Sequence, residues 1–164
     1  MKRGSKPAKP HSTSTGHGYR DLIASYIHHQ YAEHGLVVYR EVNLGKTIIA
    51  KDRQIDVFVM RPHDQKAIAI ECKFQDVQGT ADEKIPYALD DLAALWVPGC
   101  LVYAGRGWSR GVLHQLEASR LAAWCLPERD SLQRGKSTRE LDYILAATFG
   151  FWEQILPANK RFKR

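Results

Sequence analysis

Between Gln54 and Gln75 the chain carries two apolar runs rich in β-branched residues, Ile55-Asp56-Val57-Phe58-Val59-Met60 and Ala67-Ile68-Ala69-Ile70-Glu71-Cys72-Lys73-Phe74. Arg61-Pro62-His63-Asp64 separates them, and runs of this kind around a Pro-containing turn read as a β-hairpin. Each run carries charge where a buried strand should have none. Glu71 and Lys73 stand two apart, so both project from one face, about 6.6 Å along the strand. Asp56 interrupts the first run between Ile55 and Val57. Carboxylates and ammonium groups are almost never fully buried unless paired or bound to metal. Three of them on adjacent strands make either an ion-pair cluster or an active site, and buried ion pairs need good geometry merely to break even.

The order Asp56…Glu71-x-Lys73 resembles the signature of the PD-(D/E)XK phosphodiesterase superfamily, which includes restriction and homing endonucleases, Holliday-junction resolvases and repair nucleases. Ile55 stands where the signature writes Pro, a departure that touches no catalytic atom. The resemblance implies that Asp56 and Glu71 ligate Mg²⁺, with Mn²⁺ as a substitute. It implies that Lys73 orients and polarises the attacking water, and that products carry a 5′-phosphate and a 3′-hydroxyl. Gln75 continues the same strand face and looks like the extra polar residue of some members.

A chain of 164 residues with 44% hydrophobic content is long enough for one domain with a proper core. No apolar run reaches the ~18 residues of a spanning helix, and the first residues lack the apolar segment of a signal peptide. A protein acting inside the cell, without a membrane partner, is therefore expected. Cys72, Cys100 and Cys125 are widely spaced, which argues for reduced core thiols rather than a disulfide framework or zinc knuckle. The net charge is +6, yet Lys2, Arg3, Lys6, Lys9, Lys160, Arg161, Lys163 and Arg164 alone exceed it, leaving residues 10–159 at −2. A carboxylate-bearing body with basic ends suits a polyanion held near a metal; solubilising tails are the alternative.

Residues 1–16, rich in Lys, Pro, Ser, Thr and Gly, are expected to be a disordered basic arm, 17–157 the domain, and 158–164 a basic tail. A helix is predicted from about Gly18 to His34, with Leu22, Ile23, Tyr26, Ile27 and Gln30 on one stripe and Gly35 as its stop. Turning the wheel at about 100° per residue puts Glu33 on that stripe too. Many members of the resembled family use a first-helix glutamate at the metal, which makes Glu33 a candidate ligand and catalytic residue; the alternative is a glutamate at the rim of the core. Glu41, at the end of the first strand (Leu36–Val42), is the substitute.

After Gln75, Thr80 and Glu83 have capping-box spacing ahead of a helix ending near Trp96, but Pro86 would break an early helical bond; Pro86 at the first helical position is the other option. Similarity to a loop–helix of type II restriction-like nucleases implies that Lys84 or Tyr87 approaches the phosphate, against a plain helix surface. Cys100–Ala104 reads as a buried strand. Beyond it the Gly105–Arg110 loop offers backbone and charge to a phosphate through Arg106 and Arg110, with Trp108 as a stacking residue or a plain core residue. Lys160 and Arg161 add basic contacts. A short helix through His114 and Leu116 and a strand from Leu121 to Leu126 follow. Ser137-Thr138-Arg139-Glu140 is expected to cap one long helix through Leu141, Ile144, Leu145, Thr148, Trp152 and Ile155, whose apolar face could close the core or form a dimer seam.

This order fits an α/β fold, a mixed central β-sheet flanked by helices, and it is the restriction endonuclease-like sandwich that the resemblance implies. Gly45-Lys46-Thr47 and Gly135-Lys136-Ser137 are not P-loops, because Arg40 and Asp130 stand where the first glycine belongs. His28, His29 and His34 lack further ligands for zinc, and no GxSxG elbow is present. The expected function is a Mg²⁺-dependent DNA endonuclease, site- or structure-selective, of homing or restriction type. A junction resolvase, a non-catalytic nucleic-acid-binding module, or the nuclease subunit of a larger assembly are the alternatives. One site cuts one strand, so cutting both requires a homo-oligomer.

Overall fold

Residues 16–163 are described by the computed structural model; the arm expected over residues 1–16 lies outside them except for Gly16, as does Arg164. Helix α1 (Gly16–Tyr31) buries Tyr19, Ile23, Tyr26 and Ile27 and ends a turn earlier than its periodicity suggests. Ala32–His34 is a 3-10 turn, closed by Gly35 at φ +81° with its N–H on the Ala32 carbonyl at 3.0 Å. A 3-10 turn advances about 120° per residue, so a helical wheel misplaces whatever lies in it.

Three antiparallel strands follow: β1 (Val37–Lys46), β2 (Asp52–Arg61) and β3 (Lys66–Phe74). Strand β1 runs four residues past the expected Val42 and pairs with β2 as far as Lys46 opposite Asp52. The β2–β3 ladder runs from Arg61 opposite Lys66 to Val57 opposite Ile70 and stops there. Helix α2 (Ala81–Ala93) returns the chain to β4 (Gly99–Ala104), parallel to β3; helix α3 (Arg110–Ala118) leads to β5 (Ala122–Trp124), parallel to β4. The sheet is mixed, five-stranded and ordered β1-β2-β3-β4-β5.

Period-two alternation divides its two faces. Val57 and Val59 of β2 and Ile68, Ile70 and Cys72 of β3 pack with Ile23 and Ile27 of α1 and with Leu141 and Leu145 of helix α4 (Arg139–Phe149). Leu101 and Tyr103 of β4 pack the other way, on Ile85 and Leu89 of α2 and Leu116 of α3. Glu71 and Lys73 alternate with Ile70 and Cys72 and so face the α2 side. The three cysteines are free and buried.

Three local expectations are corrected. The long C-terminal helix stops at Phe149, where Gly150 takes φ +78°, and resumes only as α5 (Trp152–Ile155). Neither capping box forms. At Thr80 no side-chain cap bond exists; Ala81 N–H donates to Gln75 Oε1 instead, and Pro86 sits inside α2, which costs the Asp82 carbonyl its helical donor. At the start of α4, Thr138 donates to Asp142 Oδ2 at 3.0 Å while Glu140 accepts from Trp124 N–H. Asp142 is buried and also accepts from the hydroxyls of Tyr26 and Tyr31, each at 2.7 Å, which locks α4 to α1.

Candidate active site

The end of the β2–β3 ladder is where the charged residues stand. In register, the pair after Val57–Ile70 is Asp56 opposite Glu71, but the strands splay there. Asp56 Oδ2 fills the gap by accepting the main-chain N–H of Cys72 at 2.8 Å. The half-buried carboxylate is thereby held from the backbone of the neighbouring strand. Lys73 Nζ lies 3.3 Å from Glu71 Oε2, with side-chain exposures of 26% and 19%. Burial, reinforced by the nearby Asp56 carboxylate, pushes Glu71 up to about 7, against the opposing pull of Lys73. Two carboxylates that repel in this way, beside a lysine, form a store of negative potential suited to a cation.

Glu71 and Lys73 line a cavity of about 290 Å³ together with Arg53, Lys84, Tyr87 and Asp91. Lys84, exposed, and Tyr87, half-buried, reach this cavity from α2. Arg53 and Asp91 are buried and make a bidentate pair, Nε to Oδ2 at 2.9 Å and Nη2 to Oδ1 at 2.8 Å. Asp91 also accepts Ile48 N–H at 3.0 Å, and the paired guanidinium holds its carboxyl below the usual range. Sequence reasoning passed over this pair, although its signals exist. Arg53 shares the buried parity of Ile55 and Val57 on β2, and Asp91 stands three residues after Ala88 on the buried stripe of α2.

Other expected site residues are placed elsewhere. Glu33 is exposed in the 3-10 turn that precedes β1, where Val37 is opposite Met60. Asp56 is four residues from Met60, about 13 Å along the strand, so Glu33 stands at the wrong end of the hairpin to join it. Glu41 falls opposite Asp56 in register, between the pairs Arg40–Val57 and Val42–Ile55. Its backbone has φ +56°, however, and its carboxylate accepts Arg20 Nη1 at 2.7 Å on the α1 side. Among the described residues, no three His, Cys, Asp or Glu side chains are grouped to hold a metal ion.

Gln75 is buried and its amide is occupied: Nε2 donates to Asp82 Oδ1 at 2.7 Å and to the Gly107 carbonyl at 2.9 Å, while Oε1 accepts from Ala81 N–H. It ties the end of β3 to the start of α2 and to the glycine loop, with neither amide hydrogen left for substrate. Trp108 is 6% exposed, donates to the Ala104 carbonyl and meets Tyr103 edge-on, so it is a core residue rather than a stacking platform. The loop glycines serve close packing: a Cβ at Gly105 (φ +103°) would lie 2.2 Å from the Gln75 carbonyl oxygen, and one at Gly107 2.4 Å from the Val77 backbone. Arg106 and Arg110 are exposed beside them. Lys160 and Arg161 are exposed and lie with α5. Phe151, just before α5, stacks on Tyr31 and carries the Arg61 guanidinium, which puts α5 at the hairpin-turn end of the sheet, away from Glu71.

The central hairpin of the mixed sheet thus brings Asp56 beside Glu71-x-Lys73, on the α2 side, as the candidate site. The model of the PD-(D/E)XK nuclease superfamily domain matches residues 15–152, and the chain belongs to that superfamily. Among solved structures it is similar to a protein of unknown function, AF1548, at 14% identity and TM-score 0.39, covering 60% of this chain and 53% of that one. It is similar to a repair endonuclease from Pyrococcus abyssi at 21% identity and TM-score 0.37, covering 62% and 44%. A third likeness is to the MspJI restriction endonuclease in complex with a 27-mer oligonucleotide, at 16% identity and TM-score 0.35, covering 82% and 32%. The chain thus spans about half or less of the length of each of these three. No curated protein matches the sequence.

Proposed function

We propose that this nuclease is a Mg²⁺-dependent DNA endonuclease, selective for a site or a structure and acting as a homo-oligomer inside the cell. The observation that carries the reading is the juxtaposition of Asp56, Glu71 and Lys73 where the β2–β3 ladder ends, with Glu71 and Lys73 lining a cavity edged by Lys84. The donor set fits the metal. Mg²⁺ prefers oxygen ligands, keeps several waters and needs only one or two carboxylates from the protein. Asp56, whose Oδ1 is not the atom bound to Cys72, and Glu71 would hold it, with Mn²⁺ as a substitute. When bound, the metal supplies Lewis acidity toward the phosphate and lowers the pKa of water.

The chain's own residues do the rest. The Cys72 N–H fixes the Asp56 carboxylate beside Glu71, so the pair needs little reorganisation to take a cation. Lys73, tethered by Glu71, is placed to hold the attacking water or to donate to a phosphate oxygen. Lys84 and Tyr87 form the far wall, where a cation and a hydroxyl position the phosphodiester. Arg106, exposed on the adjoining loop, Arg110 at the start of α3, and Lys160 and Arg161 supply further backbone contacts.

Purified protein incubated with supercoiled plasmid and with a four-way junction, with Mg²⁺ or with EDTA, tests this reading. Metal-dependent cleavage that is absent in folded Asp56→Ala and Lys73→Ala variants is the expected result. Preference for the junction would place the enzyme among resolvases rather than plasmid-cutting endonucleases. Cleavage that persists in EDTA or in both variants would overturn the assignment of the site.

A further inference from the structure

The β1–β2 hairpin continues beyond the point where β2 leaves β3, and its tip stands at the rim of the catalytic cavity, with Thr47, Asp52 and Gln54 in the lining beside Glu71. The tip, residues 47–51, is a built turn. Thr47 N–H donates to the Lys51 carbonyl at 2.8 Å, Ala50 N–H to the Thr47 carbonyl at 2.9 Å, and Lys51 N–H to Thr47 Oγ1. Ala50 accepts φ +60° to complete it. Asp91 fixes it to α2 through Ile48 N–H and through Arg53.

That fixed tip displays two consecutive isoleucines, Ile48 and Ile49, 50% and 55% exposed. A single exposed apolar residue needs no explanation, but an adjacent pair on an anchored turn beside a catalytic cavity does. Lys46 and Lys51 flank the pair, Lys46 joined to Asp52 at 2.5 Å, and Lys73 and Lys84 lie in the cavity next to it. Lys46 and Lys73 are paired with Asp52 and Glu71, while Lys51 and Lys84 lie exposed beside the isoleucines; apolar side chains next to such cations suit duplex DNA, whose grooves admit a two-stranded ribbon and whose base steps accept apolar wedges.

Resting on the DNA-nuclease reading above, we propose that this hairpin tip enters a groove beside the scissile bond, pressing Ile48 and Ile49 against the base stack with Lys51 on the phosphate backbone. The hairpin then reads the deformability of the step next to the cut, a contribution to site selection separate from the carboxylates.

The test compares the wild type with an Ile48→Ser/Ile49→Ser double variant and an Ile48→Leu/Ile49→Leu control, on the DNA that the wild type cuts. Binding is read on a Lys73→Ala background, and 2-aminopurine placed around the cut reports unstacking. On a surface turn the serines should leave the melting temperature unchanged. The expected result is binding weaker by about tenfold or more, loss of the 2-aminopurine signal, and recovery of both with leucine. Equal binding and cleavage by the serine variant would overturn the proposal. So would a loss of oligomer mass with DNA affinity intact, which would make the isoleucines a contact between copies. A wild type that neither cuts nor binds DNA would sink the nuclease reading itself, and this inference with it.

Discussion

Replacing Glu71 by glutamine should abolish cleavage and stabilise the protein above neutrality. Glu71 is driven from an ordinary glutamate value of 4.5 to about 7, first by burial and then by Asp56. At about 1.4 kcal/mol for each tenfold change in proton affinity, the folded state bears a penalty of about 3 kcal/mol once the group is fully ionised. The sign follows from the direction. A carboxyl whose folded value is raised binds more protons folded than unfolded between about pH 4.5 and 7. The penalty is therefore absent below that window, grows through it, and is complete above it. Glutamine has no charge to desolvate and can donate an amide hydrogen to Asp56, but it leaves Lys73 without its partner at 3.3 Å. The net gain expected at pH 8 is therefore about 1–3 kcal/mol, with no gain at pH 4. Urea denaturation of both proteins across pH 4–9 in EDTA measures this, the midpoints converging at the acid end. A variant less stable than the wild type at pH 8, or a difference that does not change with pH, would refute the argument that Asp56 and burial destabilise the Glu71 anion.

Two further outcomes follow from packing. Gly105→Ala should cost about 3 kcal/mol or more, because its φ of +103° is closed to L side chains and the new Cβ would meet the Gln75 carbonyl at 2.2 Å; a midpoint within error of the wild type in chemical denaturation would contradict the close approach. Tyr26→Phe should cost about 1.5–2 kcal/mol by removing a charge-assisted hydrogen bond from the buried Asp142 carboxylate, without affecting cleavage at equal folded fraction; a neutral effect on stability would mean that Asp142 relies on Tyr31 and Thr138 alone.

Much of this structure was legible in the sequence because its strongest signals are periodic. The two apolar runs, rich in β-branched residues, around Arg61–Asp64 form the hairpin that carries Asp56, Glu71 and Lys73. The order of helices and strands follows the same rule, and the mixed sheet came with it. What periodicity does not record is where a helix changes pitch, and Glu33 was misplaced for that reason: α1 tightens at Ala32 and turns the carboxylate outward. Gly150 hid a second break, since glycine is tolerated within a helix as well as after one. The polar residues were harder to read. Gln75 shares the face of Glu71 and Lys73 on β3 by parity, yet its amide is consumed by Asp82, Gly107 and Ala81, partners 6 to 32 residues away. Trp108 in a loop of glycines and arginines suggested a nucleic-acid contact, while the glycines in fact let the loop lie on the backbone of residues 75–77. The Arg53–Asp91 pair spans 38 residues, and only its breach of two apolar stripes marks it in the sequence.

The end of the β2–β3 ladder at Val57 has a consequence for how the molecule opens. Beyond it, β1 and β2 continue as a two-stranded ribbon, and such ribbons are marginal in water without a third strand or a packed helix. The outer part of this ribbon, residues 42–54, is tied to α2 by one carboxylate, Asp91, which holds Arg53 and Ile48 together. The ribbon is therefore expected to open as a separate cooperative unit at low free energy. Amides from Val42 to Gln54 should exchange with deuterium earlier than those of β3 and β4, and in concert. On this expectation one wall of the candidate site melts and re-forms while the sheet that carries Glu71 and Lys73 stays intact.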